Sequence, residues 1–231
     1  MRSSRNSDKK VKQIQDGIYK ENQKLYTANA VKDQKVYGEQ LLNKEGVQYR
    51  NWQPSRSKAG AAVMKNIELG LEKTSEVLYL GAASGTTVSH FSDILSRGFI
   101  YGVEYSDTVI QDLVKLAEKR ENIAPILGDA QKPENYEELI QEKVDIVFQD
   151  ISQSNQPEIF LKNARKYLKR GGIGLLSVKA HSISTSRNEE EIFDEVKNKI
   201  QKDFNIVSET KLEPYEKNHL FLKMRFTGGE E

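Results

Sequence analysis

Asp150 and Lys179 each follow an apolar run. Residues 144–148 (VDIVF) lead into Gln149-Asp150-Ile151, and residues 173–178 (IGLLSV) lead into Lys179-Ala180. An acid and an amine brought to one place can orient and polarise a substrate hydroxyl. The ammonium favours negative charge developing on the oxygen, and the carboxylate holds the amine or accepts the proton. Lys58, in Arg56-Ser57-Lys58, and His219, at the head of residues 219–226 (HLFLKMRF), are further candidates of suitable type. Spacing alone leaves each with a plain structural reading beside the chemical one. Asp150 and Lys179 fit a salt bridge at a sheet edge, Lys58 a solvated lysine at a helix start, and His219 a strand-end residue. His181 reads as an ordinary loop histidine, and His90 as a packing or surface residue of a helix.

A second set of signals suits a nucleoside ligand. Leu80-Gly81-Ala82-Ala83-Ser84-Gly85-Thr86-Thr87 follows a short apolar run and opens a helical stretch. The small residues Gly81, Ala82, Ala83 and Gly85 let backbone approach a ligand, and amides at the helix start favour a carboxylate or phosphate. Glu104 closes the next run about 20 residues on, where an acid binds ribose hydroxyls in this topology. Asp129, in Gly128-Asp129-Ala130, follows the third run and can accept from an adenine amino group. A bare strand-to-helix turn with acids on solvated loops is the plain alternative for any one of these. Turn and acids at three successive strand ends together favour the nucleoside. The dinucleotide pattern G-x-G-x-x-G is broken by Ala83 at its middle glycine, which counts against a nicotinamide dinucleotide and its pyrophosphate. S-adenosylmethionine has no pyrophosphate and tolerates the change.

These residues need strands and helices to place them. Short apolar runs at 77–80, 99–105, 124–127, 144–148 and 173–178 alternate with helical patterns at 87–95, 108–120, 157–168 and 189–201. Ser57 caps a further helix running to about Gly70, and Gly171-Gly172 is a helix stop. Alternating β and α with short loops predicts a mostly parallel, doubly wound sheet. The last two runs, 206–212 and 219–226, are separated by a turn at Pro214 and have no helix between them, so one strand returns antiparallel. Such a seven-stranded mixed sheet defines an α/β, class I (Rossmann-like) S-adenosylmethionine methyltransferase fold. Ahead of it, apolar and aromatic runs between Val11 and Trp52, broken by Asn, Asp and Gly, predict a small antiparallel β region. The expected organisation is a flexible basic arm over 1–10, an N-terminal β region over 11–56, and a methyltransferase domain over 57–231.

Composition narrows the classes. The 231 residues carry 35 Lys and Arg against 34 Asp and Glu, a net charge of +1, so no global field draws in nucleic acid. An RNA-binding role needs a local patch or a partner to supply the electrostatics. With no cysteine and three scattered histidines, the sequence offers no disulfide, no thiolate nucleophile and no ligand-spaced metal site. No apolar run approaches the roughly 20 residues of a membrane span. The polar, basic start lacks a secretory core, so a soluble, cytoplasmic protein is expected.

The quoted segments resemble the fibrillarin family in its archaeal branch. The likeness runs through Tyr49-Arg50-Asn51-Trp52, Arg56-Ser57-Lys58, the segment from Val77 to His90, Tyr101-Gly102-Val103-Glu104-Tyr105-Ser106, Gly128-Asp129-Ala130, Asp150-Ile151-Ser152-Gln153, and Leu212 to His219. The resemblance implies a box C/D ribonucleoprotein subunit that methylates ribose 2'-hydroxyls of pre-rRNA and tRNA with S-adenosylmethionine and no metal. Thr86, Thr87, Glu104, Tyr105, Asp129, Ala130, Asp150, Ile151, Ser152 and Gln153 are then cofactor contacts. Lys58, Asp150, Lys179 and His219 match the family's Lys-Asp-Lys-His tetrad. Implied partners are the guide RNA, target rRNA or tRNA, a Nop5-type scaffold protein and the kink-turn binder L7Ae. A stand-alone RNA methyltransferase and a non-catalytic assembly subunit are the competing readings.

Overall fold

The computed structural model describes residues 10–228; the expected basic arm over 1–10 lies, but for its last residue, outside them. Seven strands form one sheet in the order β11-β12-β10-β9-β6-β7-β8. Here β6 is Glu76–Leu80, β7 Phe99–Glu104, β8 Ile123–Leu127, β9 Val144–Gln149, β10 Leu168–Lys179, β11 Phe204–Lys211 and β12 His219–Phe226. The neighbours from β10 to β8 run parallel, and β12 lies antiparallel to both β10 and β11, as the helix-free terminal pair predicts. Pro125 sits in β8, an edge strand, where its missing N–H costs no ladder bond.

The winding reverses beside β6. Strands β7 and β8 build outward on one side, and β9 and β10 on the other. Ligands of open α/β sheets bind outside the carboxyl ends of strands at such a switch point. The carboxyl ends of β6 and β9 deliver Gly81 and Asp150 to that crevice.

Helices cover both faces. On one side α1 (Lys58–Met64), α2 (Thr86–Ile94) and α3 (Ile110–Ala117) share a core with Tyr79, Phe91, Phe148 and Phe221. On the other, α4 (Gln156–Tyr167) and α6 (Glu189–Ile200) bury Phe160, Phe193, Phe204 and Phe226. A short helix α5 (Ala180–Ile183) and 3-10 turns at Pro54–Arg56 and Pro133–Leu139 carry no sequence signal of their own.

Two boundaries differ from the sequence reading. Helix α1 ends at Met64 rather than near Gly70, because Asn66 adopts φ 68° and the Ile67 amide reaches back to the Ala62 carbonyl. Beyond it Ile67, Leu69 and Leu71 are buried at every second position, an extended segment rather than a helical face. Gly171-Gly172 is also not a spacer before β10. The strand starts at Leu168, and its register with β9 shifts between Leu168 and Ile173, with Gly171 at φ 76°. The glycines form a bulge inside a long strand.

The N-terminal strands β1 (Lys12–Gln15), β2 (Ile18–Glu21), β3 (Lys24–Ala28), β4 (Leu41–Lys44) and β5 (Val47–Trp52) form an antiparallel sheet in the order β1-β2-β3-β5-β4. Its inner face joins the main core through Ile18, Leu25 and Trp52. Polar groups join it too. Arg50 on β5 donates to Glu39 (2.7 Å), to Asp93 on α2 (2.9 Å) and to the Ser89 hydroxyl (2.9 Å). Asp93 also accepts from Arg120 (2.8 Å) and from the Thr27 hydroxyl of β3 (2.7 Å). Two arginines and two acids cancel in charge, and all are buried.

His90 belongs to this network. It is fully buried, stacks on Trp52, and lies 2.8 Å from the Thr27 hydroxyl and 2.7 Å from that of Tyr37. Burial first, then the Arg50 and Arg120 charges, push its pKa well below the ordinary histidine value, so it stays neutral. His90 therefore packs the interface between the two sheets.

Candidate active site at the strand ends

The glycine loop fits tightly against β9. Gly81 has φ 82°, and a Cβ there would stand 2.3 Å from the Asp150 carbonyl oxygen. The Asp150 amide in turn donates to the Leu80 carbonyl (3.0 Å). Gly85, at φ 87°, is the N-cap of α2, and its Cβ would strike Leu116 and Leu113. Ala83 takes φ 48°, a left-handed conformation that disfavours any residue with a Cβ. Gly81→Ala is expected to lower the melting temperature, by more than about 1 kcal/mol of stability, and to weaken ligand binding by displacing Asp150. Thermal melts with and without S-adenosylmethionine check both effects.

Glu104 ends β7 and ties the loop down. One carboxylate oxygen accepts from the Ala83 amide (2.9 Å) and the other from Ser106 (2.9 Å). A carboxylate has about four acceptor positions, so ribose hydroxyls still find room. Asp129, past β8, accepts from the Gln131 amide with one oxygen (2.9 Å). Tyr105 is 72% exposed, an open aromatic face at the end of β7. Ala130 is buried, Thr87 donates to Ser57 (2.9 Å), and Ile151, Ser152 and Gln153 follow Asp150 on the crevice rim. Glycines that admit close backbone, two acids at successive strand ends and an exposed aromatic ring are a donor and acceptor set that fits an adenosine. Among the described residues no cluster of three or more His, Asp or Glu is placed to hold a metal.

Four elements converge on Asp150. Ser57 caps α1 by accepting from the Gly60 amide (3.1 Å), which makes Lys58 the first helical residue. A cation at a helix N-terminus opposes the helix dipole, a placement that helix stability alone does not favour. Lys58 Nζ stands 3.8 Å from Asp150 and 3.5 Å from Glu216. Asp150 keeps 24% of its side-chain surface exposed. Desolvation raises its pKa above the ordinary carboxylate value; Lys58, His219 and Lys179 pull it down, and Glu216 pushes it up.

Lys179 and His219 are direct cross-strand partners, the last residue of β10 opposite the first of β12. The Lys179 backbone is clamped by buried Gln156, whose Oε1 accepts from the Lys179 amide (2.9 Å) and whose Nε2 donates to its carbonyl (3.2 Å). His219 Nδ1 lies 2.7 Å from the Lys217 carbonyl. A carbonyl only accepts, so Nδ1 carries the proton and Nε2 faces away from that bond.

The structure thus gathers Lys58, Asp150, Lys179 and His219 at one crevice, and it changes one pairing. Among the described residues Asp150 forms its ion pair with Lys58, on α1, and none with Lys179. The salt bridge that strand order suggests is absent. Glu216 and Gln156 are additions: both read as ordinary polar residues, Glu216 on a turn and Gln156 at a helix start. His181, expected on a loop, lies instead in the short helix α5, 3.3 Å from Asn218 Nδ2.

The fibrillarin family model matches residues 8–228. The chain belongs to the fibrillarin family. A fibrillarin-like rRNA/tRNA 2'-O-methyltransferase of Methanosarcina barkeri is 48% identical over 217 residues, covering 91% of this chain and 96% of the relative. The Methanococcus jannaschii fibrillarin pre-rRNA processing protein superposes with a TM-score of 0.91 at 39% identity, over 96% of this chain and 98% of that one. An Aeropyrum pernix fibrillarin with natively bound S-adenosyl-L-methionine gives a TM-score of 0.83 at 36% identity, covering 93% and 99%. Fibrillarin from a fibrillarin/Nop5p complex gives 0.87 at 42% identity, covering 93% and 100%.

Proposed function

We propose that this fibrillarin-family chain transfers a methyl group from S-adenosylmethionine to ribose 2'-hydroxyls of rRNA and tRNA. The observation that carries the reading is the convergence of Lys58, Asp150, Lys179 and His219 beside the Gly81 loop. S-adenosylmethionine supplies an electrophilic methyl on a sulfonium, and its leaving thioether is neutral. The protein's task is then placement and charge. Gly81, Ala82, Ala83, Gly85, Thr86 and Thr87 cradle the ligand's amino-acid end. Glu104 accepts from the ribose hydroxyls, Tyr105 covers the adenine, Asp129 accepts from its amino group, and Ala130 with Ile151, Ser152 and Gln153 completes the wall. Lys179 and Lys58 stabilise negative charge developing on the attacking 2'-oxygen. As the new oxygen–carbon bond forms and the sulfur–carbon bond breaks, the hydroxyl proton passes to Asp150, and His219 orients the hydroxyl.

In this reading residues 57–231 are the methyltransferase unit and residues 11–56 a sheet built onto it. The enzyme works in the cytoplasm as the catalytic subunit of a box C/D particle, with guide RNA, a Nop5-type scaffold and an L7Ae-type kink-turn binder. A net charge of +1 suits a subunit brought to RNA by partners. No helix of the described residues is long and apolar enough to cross a membrane. The test is methyl transfer in the complete particle against protein with bare RNA, with Asp150→Ala as control. Methylation only in the particle supports the guided reading; equal methylation without guide or partners contradicts it.

Glu216 sets the pH range of this chemistry. Its charge raises the Asp150 pKa and competes for Lys58, and the groups facing Asp150 are Lys58 on α1, Lys179 at the end of β10 and His219 at the start of β12. Removing the charge lowers the Asp150 pKa, so the active carboxylate persists to lower pH. Glu216→Gln is expected to shift the acid limb of the pH profile of kcat/KM downward. An unmoved acid limb contradicts the coupling.

A further inference from the structure

We infer that a basic groove beside the glycine loop carries the phosphodiester backbone of the RNA whose ribose is methylated, an inference that rests on the proposed function. The groove, about 410 Å³, runs between the loop after β3, the 3-10 turn before α1, the glycine loop and α3. Its walls bear Lys35, Arg56, Lys115 and Lys119 against a single carboxylate, Asp112. Asp112 pairs with Lys115 at 3.2 Å. Among the described residues Lys35, Arg56 and Lys119 have no ion-pair partner, and all three are exposed.

That imbalance stands out in this chain. Acids and bases nearly cancel over the whole molecule, so three unpaired cations in one cleft make a local field that the net charge of +1 hides. Arg56 is also pre-positioned: its guanidinium lies 5.1 Å from the centre of the Tyr37 ring, which fixes a planar, multi-donor cation. A planar guanidinium suits phosphate oxygens and leaves few rotamers to freeze on binding.

Position ties the groove to the reaction. Arg56 precedes Lys58 by two residues, so their backbones are at most about 7 Å apart. Ser84 and Thr86 of the glycine loop line the same groove. A polyanion seated on Lys35, Arg56 and Lys119 therefore runs past the helix start that presents Lys58. The contacts read backbone charge and carry no base information, which fits target choice by base pairing elsewhere.

The test measures binding rather than catalysis. A labelled single-stranded RNA of about 12 nucleotides is titrated with the full chain over a range of salt, for the wild type and for Lys35→Gln/Arg56→Gln/Lys119→Gln. Each lost phosphate contact lowers the slope of log K against log salt by about 0.7. The triple variant is expected to lose about 2 from that slope, with S-adenosylmethionine affinity unchanged by calorimetry. Lys12→Gln/Lys143→Gln/Lys202→Gln makes the same charge change on exposed residues outside the groove, and Lys35→Glu/Lys119→Glu leaves the Arg56 stack intact. A slope unchanged in the groove variants, or lowered equally by the control, overturns the inference. Failure of the wild type to transfer methyl groups instead overturns the proposed function and leaves the binding result standing.

Discussion

Asp150→Asn is expected to cut methyl transfer by about 10²- to 10⁴-fold while the protein melts higher at neutral pH. The two effects share one cause. Ionised Asp150 is desolvated at the crevice, and burial raises its folded-state pKa. A carboxyl with a raised folded pKa binds protons more readily folded than unfolded. Stability therefore falls as pH rises through the interval above the ordinary aspartate value, and the full cost is present at neutral pH. Asparagine keeps the shape and removes that cost, and Lys58 retains Glu216 at 3.5 Å. The melting gain should vanish at pH values below the unfolded pKa, where wild-type Asp150 is protonated in both states. Calorimetry at acid and neutral pH, beside single-turnover methyl transfer, checks this. A variant that is inactive and also less stable at neutral pH shows that Asp150 is structural.

Asp93→Ala is expected to cost about 3–5 kcal/mol, the largest loss of stability from any single change considered. Asp93 accepts from Arg50, Arg120, Thr27 and the Ala30 amide. Its removal strands the Arg120 guanidinium, whose side chain is 2% exposed, and leaves fully buried Arg50 with Glu39 alone. Uncompensated buried charge, rather than the lost attraction, makes the effect large. A domain of ordinary stability, roughly 5–15 kcal/mol, would lose about a fifth or more of its margin. Lys169→Ala is the comparison. It breaks a 2.7 Å pair with Asp145 whose members are 48% and 38% exposed, and costs under about 1 kcal/mol. Urea denaturation of both checks the contrast, and comparable small losses contradict the network's role. Because Thr27 and Arg50 come from the N-terminal sheet and Asp93 from α2, both sheets should unfold in one transition.

The parts legible in sequence are those written in local pattern. Alternating runs and the helix-free last pair predict a mostly parallel sheet with one antiparallel strand, and strand ends place Glu104, Asp129, Asp150 and Lys179 without reference to distant residues. Fibrillarin resemblance adds Lys58 and His219, which spacing leaves ambiguous. What stays hidden depends on long-range contact. Nothing in the local pattern links Arg50, Glu39, Asp93 and Arg120, since only the packed structure brings Arg50 and Asp93, 43 positions apart, to 2.9 Å. Lys58 rather than Lys179 pairs with Asp150 because the start of α1 lies against the end of β9, a placement no periodicity encodes. Glu216 is hidden in the same way, on a turn between two strands. The early end of α1 rests on a left-handed Asn66, a residue type that also occurs within helices.

The most direct test of the central claim is the chemical position of the transferred methyl group. Labelled S-adenosylmethionine, a guide-matched RNA and the assembled particle are incubated, and the RNA is then hydrolysed in alkali. Alkaline cleavage uses the 2'-hydroxyl as nucleophile, so a 2'-O-methylated linkage survives as a dinucleotide. The geometry of Lys58, Asp150, Lys179 and His219 predicts all of the label in one alkali-resistant dinucleotide, and none with Asp150→Asn. Label released in mononucleotides, as base methylation would give, contradicts it.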